Sequence, residues 1–233
     1  MDEVGSEVGD DLWRSFRFMA LIHRAQLSRT KHELIAKWLP TRPWSEDAVS
    51  GQVELIGAYR FDDPVGAVGI ETHVVRTGDM QVLQVPLTYR GAPLAGADDF
   101  LVGTTEHSVL GRRWVYDGCG DPVYAAALAT VILSGGQEAE EWVEQVDGPS
   151  QRREPSVRVV GSGTPSDGAF SVASVSVMDH GTTTTVGAPG LELVVRRVLG
   201  GPARADDDVE NLTGVWSGSA EPTPLAYARR LPS

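Results

Sequence analysis

The sequence predicts an α+β fold: antiparallel strands with helices packed against them, followed by a β-rich unit. Three observations carry that expectation. Residues 51–91 hold three runs in which Val, Ile, Leu and Tyr alternate with polar residues, the period of a half-buried sheet. The links between these runs are short, which favours antiparallel pairing. An Ala-rich apolar stretch from Tyr124 to Leu133 reads as a helix, and beyond residue 156 helix signals are scarce while strand formers dominate.

Residues 1–18 read as a flexible acidic extension, with Asp2, Glu3, Glu7, Asp10 and Asp11 crowded together. Trp13, Phe16 and Phe18 suggest that its end docks on something, and Met19 would make a natural beginning. The stretch "MALIHRAQLS" (19–28) alternates as a strand. Thr30 and Glu33 have capping-box spacing, so a helix is expected to open at Thr30. Leu34, Ile35, Trp38 and Leu39 follow at helical spacing, and Pro40 stops the helix. The three strands are "GQVELIGAYRF" (51–61), "VGIETHVVRTG" (68–78) and "QVLQVPLTYRG" (81–91), with "RTGDM" as the turn joining the last two.

A short strand is expected around Trp114-Val115-Tyr116. The Ala-rich helix follows, with Asp121 as N-cap, Pro122 in the first helical position and Gly135-Gly136 at its end. The segment "QEAEEWVEQV" (137–146) is expected to add a helical turn or two. The polar stretch "DGPSQRREPS" (147–156) marks a boundary, dividing the chain into domains at 19–150 and 151–233. Beyond it come strands at "SVRVVGSG", "SVASVSVMD", "TTTTVG", "LELVVRRVL", "NLTGVWSGS" and "LAYARRL".

The formal charge of −12 excludes several partners. Nucleic acid and anionic membrane surfaces both need clustered Lys and Arg, and the sequence has no such cluster. Part of the acid is local, in the loop of Asp206, Asp207, Asp208 and Glu210. Cys119 is the single cysteine, so neither an intrachain disulfide nor a cysteine zinc site is possible and a reducing cytoplasm is expected. No apolar run approaches the ~18 residues of a membrane span, and the acidic first residues, without a basic and then apolar stretch, lead us to expect no secretory signal.

Candidate chemistry is sparse. The run "HGTTTTVGAPGLELVVRR" (180–197) places Thr and Gly between two strands, a place where backbone N–H groups can cradle a phosphate. It matches neither phosphate-loop pattern, and four threonines equally make an ordinary strand. Phosphoryl transfer also needs a positive group on the phosphates and acids near the acceptor. The only lysines are Lys31 and Lys37, both in the first helix, and the short remainder after Arg197 leaves no room for a catalytic lobe. No active kinase, no cofactor and no metal site are therefore expected. Glu106 and His107 are adjacent, which on a strand points them to opposite faces unless a turn intervenes. Ser108 lacks the flanking glycines of a nucleophile elbow. Cys119 in "DGCGD" precedes a helix N-terminus, which can activate a thiol, but small buried packing is the simpler reading. Trp38 and Trp114 read as packing; Trp44, in a Pro-rich loop, is a better candidate for stacking on a sugar or a partner.

"ELIAKWLPTRPW", "VLQVPLTYR" and "WVYDGCGDPVYAAALATVIL" together resemble the N-terminal cap of actinobacterial maltokinases, and more closely the stand-alone proteins similar to that cap, over roughly residues 19–145. "DHGTTTTVGAPGLELVVRRVLGGPARADDDVE" has the outline of the hairpin that follows in those kinases. The phosphate-binding lysine of the family falls near Val194 here, and the kinase C-lobe is missing. The resemblance implies a curved antiparallel sheet with helices at 19–150 and a small kinase N-lobe-like unit at 151–233, a pseudokinase fragment. It also implies trehalose, maltose and glycogen metabolism as the setting. The expected function is a non-catalytic binding or regulatory module. It would contact an α-glucan or trehalose enzyme, or a sugar, through Trp44 and the loops around His107 and Asp117. The alternative is an enzyme acting on a sugar or sugar phosphate through Glu106, His107, Asp117 and Asp121.

Overall fold

The computed structural model describes residues 20–21, 27–48, 53–107, 110–145, 148–165, 170–201, 209–219 and 221–232. The expected extension at 1–18, Met19 and Asp206–Asp208 lie outside the described residues. The first elements are β1 (Ala20–Leu21), α1 (Leu27–Trp38), β2 (Glu54–Phe61), β3 (Gly69–Arg76), β4 (Val82–Arg90), β5 (Leu101–His107) and β6 (Gly111–Asp117). There follow α2 (Pro122–Ser134), β7 (Glu141–Gln145), β8 (Gly148–Arg153) and β9 (Val157–Gly161). The last are β10 (Ser176–His180), β11 (Thr183–Ala188), β12 (Leu191–Arg196), β13 (Val198–Leu199), β14 (Glu210–Trp216) and β15 (Thr223–Arg230). The fold is thus mostly antiparallel β-sheet with two short α-helices among the described residues.

The first sheet runs β2-β3-β4-β6-β5, and β13 adds to the start of β4. Residues 83–89 of β4 are buried without interruption, because both faces of the sheet are covered. Leu83, Val85, Leu87 and Tyr89 pack beneath Ile35, Trp38 and Leu39 of the α1 region. Gln84 and Thr88 point the other way, to Tyr59 and Asp121. Pro86 in the middle of a central strand is tolerated because of its place in the ladder. β4 pairs with β13 at Val82 and Leu83 and with β6 from Leu87 onward, and Pro86, with no N–H to donate, falls between.

The second sheet runs β10-β11-β12-β15-β14-β9. α2 lies between the two sheets, and one apolar cluster joins Tyr59, Ile70 and Val74 of the first to Leu128 and Ile132 of α2 and to Val159, Leu193, Leu212 and Leu225 of the second. This core takes residues from both sides of position 150. Asp121 caps α2 by accepting from Val123 N at 2.9 Å, and Gly135 ends it in the left-handed region at φ 67°. The helix sits very close to β9. A Cβ on Gly161 would meet Ile132 O at 2.8 Å and Val131 O closer still.

Several expectations are corrected. α1 begins at Leu27, so Thr30 lies inside the helix and cannot be its N-cap, and the strand expected over 19–28 is reduced to β1 among the described residues. Where helical turns were expected at 137–146, Glu141–Gln145 form strand β7, and the polar stretch read as a boundary supplies β8, its hairpin partner. Arg152 and Arg153 of β8 face Glu140 and Glu141, so charges that suggested a solvated helix and loop are cross-strand partners. β1 then pairs parallel with β7, the other named pairs all being antiparallel.

Candidate functional site

Arg197 stands at the corner where β12 leaves the second sheet and β13 enters the first. Its N–H donates to Thr182 O at 2.8 Å and its carbonyl accepts from Gln84 N at 2.8 Å, so the backbone is fixed by both sheets. The side chain is turned inward and is fully buried. Nη2 donates to Asp117 Oδ2 at 2.6 Å and Nε to Thr184 Oγ1 at 2.7 Å. Thr184 Oγ1 in turn donates to Asp179 Oδ1 at 2.5 Å. The guanidinium lies 4.7 Å from the ring centroid of Trp44, which meets Trp38 edge-on at 5.7 Å. A planar fork that bonds in its plane and stacks on its face fits this place as lysine would not. Burial works against the charge of Arg197, but Asp117 outweighs it and raises the pKa above its ordinary value.

Trp44 and Asp117, expected as surface residues, therefore meet at one buried node. Trp44 is 5% exposed and Asp117 4%, so neither presents itself to a ligand. The physical reason is Arg197: its buried charge requires a carboxylate, and its flat face takes the indole. The sequence shows two arginines after an apolar strand, but nothing in their spacing connects Arg197 to Asp117 or Trp44, which lie far away along the chain.

The other candidates are also engaged. Asp121 is fully buried and accepts from Thr88 Oγ1 at 2.8 Å, Arg90 Nε at 2.7 Å, Arg90 Nη2 at 2.6 Å and Val123 N. Cys119 is fully buried, and burial pushes its thiol far above the usual range. The threonine run is not a phosphate loop: Thr183, Thr184 and Thr185 pair with Arg196, Val195 and Val194 in the β11–β12 ladder. A cluster absent from the sequence reading lies under α1. Lys31 Nζ donates to Glu71 Oε2 at 2.5 Å, and His73 Nε2 stands 3.4 Å from the same oxygen and 3.2 Å from Tyr89 Oη. Desolvation opposes the charge of Glu71, yet His73 and Lys31 prevail and hold its carboxyl well below the usual range.

His107 lies elsewhere. It faces Gly111 at the outer end of the β5–β6 hairpin, while Asp117 pairs with Leu87 at the other end of β6, about 20 Å away along the strand at ~3.3 Å per residue. Its Nδ1 accepts from Leu110 N at 3.1 Å. Glu106 is exposed on the same hairpin, so Glu106 and His107 do not converge with Asp117 and Asp121, and the arrangement required by an enzyme using all four is not formed. The hairpin instead displays Leu110, 58% exposed, beside Arg112, whose guanidinium sits 5.4 Å from the Trp114 ring.

Among the described residues no helix is long and apolar enough to cross a membrane. No curated protein matches the chain. Residues 38–121 match the maltokinase N-terminal cap domain, a span that runs from Trp38 through the first sheet to the cap of α2. By that match this part of the chain, residues 38–121, is similar to the maltokinase N-terminal cap domain.

Proposed function

We propose that the protein is a non-catalytic binding or regulatory module of trehalose, maltose and α-glucan metabolism, acting in the cytoplasm. The family match links it to maltokinase, an enzyme of that metabolism. One observation carries the non-catalytic reading: the carboxylates best placed for chemistry, Asp117 and Asp121, are both buried and locked to arginines. At the position where the family resemblance expects the phosphate-binding lysine, β12 carries Val194 between Thr185 and Tyr227. In this reading the first sheet is the kinase-cap-like part and the second sheet the N-lobe-like part. No observation favours the alternative of an enzyme acting on a sugar or sugar phosphate.

The partner is a protein of the α-glucan or trehalose system, or a sugar. It meets the β5–β6 hairpin, where His107, exposed Leu110 and the Arg112–Trp114 stack share one end. Aromatic and arginine side chains beside an exposed leucine are the residue types that anchor interfaces. The test is capture from a lysate of the source cells by the tagged chain and by Leu110→Asp. Recovery of a maltokinase, trehalose synthase or glucan enzyme, lost with Leu110→Asp, is the expected result. Equal recovery by both, or turnover of ATP and maltose by the purified chain, would overturn the reading.

A further inference from the structure

α2 is apolar on all sides, a composition suited to a helix buried all round. One side fills the core through Ala125, Leu128, Ala129 and Ile132. The opposite stripe, Val123, Ala126, Thr130 and Val131, is only half-buried and forms one wall of a cleft of about 590 Å³. The facing walls come from residues 61–65, 137–139 and 170–172. This volume lies within the ~300–1,000 Å³ typical of small-molecule sites.

The polar groups of the cleft decide what it would hold. Among the described residues three carboxylates line it, Asp62, Asp63 and Glu138, and no Lys, Arg or His does. Asp63 is committed to the N–H groups of Val65, Ala67 and Val68. Glu138 Oε2 accepts from Val159 N at 2.7 Å. Thr130 Oγ1 donates to Ala126 O and accepts from Phe170 N. Asp62 remains at the rim. Desolvation raises its carboxyl above the ordinary value although Arg60 pulls it down. An anionic ligand would meet like charge here, whereas a cation would be attracted to the carboxylates that line the cleft.

We propose that this cleft binds a small amphipathic cation, its apolar body over Val123, Ala126 and Val131 and its ammonium against Asp62. The site is separate from the β5–β6 hairpin and stands whether or not the module reading holds. The test is an amide NMR titration of the full chain with 2-phenylethylamine, 2-phenylethanol and 3-phenylpropanoate. The amine is expected to shift Val123, Ala126, Thr130 and Val131 saturably and to bind about fivefold tighter than the alcohol, the size of one solvent-accessible ion pair. The propanoate is expected to leave these residues unmoved. Asp62→Asn should erase the preference for amine over alcohol, and Ala126→Phe, which fills the cleft, should abolish both. Asp62 is at the rim, so its variant reports on binding even where Ala126→Phe alters the fold. The proposal is overturned by shifts confined to other residues, by equal binding of the propanoate, or by an Asp62→Asn variant that keeps the amine preference.

Discussion

Replacing Asp117 by Asn removes the carboxylate charge and leaves Arg197 charged in the interior. Arg197 is 0% exposed and Asp117 4%, so solvent screens neither member of the pair. Breaking a buried pair by neutralising one partner costs about 3–5 kcal/mol, most of it the cost of an uncompensated charge. The hydrogen bond to Thr184 and the stack on Trp44 survive the change, which places the expected loss near the lower end, about 3 kcal/mol. For a chain of this size about 2–4 °C of Tm is lost per kcal/mol, so the melting point should fall by about 6–12 °C. Adding Arg197→Met removes the orphaned charge, and the double variant should be more stable than Asp117→Asn alone. Urea unfolding followed by the emission of the six tryptophans measures all four corners of the cycle. A loss under about 1 kcal/mol for Asp117→Asn, or strictly additive effects in the double variant, would refute the reasoning.

Three further outcomes are expected. Gly161→Ala should destabilise the protein by at least about 2 kcal/mol in urea unfolding, because the new methyl meets the backbone of α2 rather than a movable side chain. Glu71 has a folded pKa below its ordinary 4.5, so its contribution to stability is fully present above that value and drains as pH falls through the depressed one. Urea midpoints of the wild type should therefore drop on acidification below about pH 4.5, and Glu71→Gln should flatten that part of the profile. Cys119 should resist a thiol reagent in the native protein and react once urea unfolds it, and rapid native-state labelling would contradict its burial.

Elements whose signals are local were legible. The cap, proline and glycine around α2 each carry their meaning within a few residues, and the three strands of the first sheet stand out by alternation. β7 was misread because "EAEEWVEQV" is rich in helix formers, and its strand state depends on β8 and β1, which only tertiary pairing supplies. β13 was read as the end of one strand, "LELVVRRVL"; the break at Arg197 has no local signal, and the place of β13 is set by β4. The sites were less legible for the same reason. Asp117 and Trp44 were expected on a binding surface, but both are buried against Arg197, and the burial that joins them is invisible in one dimension. His107 was grouped with them on one surface, while the extended β5–β6 hairpin carries it away.

The corner at Arg197 bears on how the chain can be divided. The stretch that matches the cap domain, 38–121, ends before α2 and contains neither β13 nor the second sheet. Excised alone, it would bare Tyr59, Ile70 and Val74 on one face, leave the start of β4 without its neighbour and strand the Asp117 charge. The cap of this protein is thus not a transplantable cassette. Its halves are expected to melt together in a single calorimetric transition, and a library of truncations should yield soluble, folded protein only when the chain extends through β15.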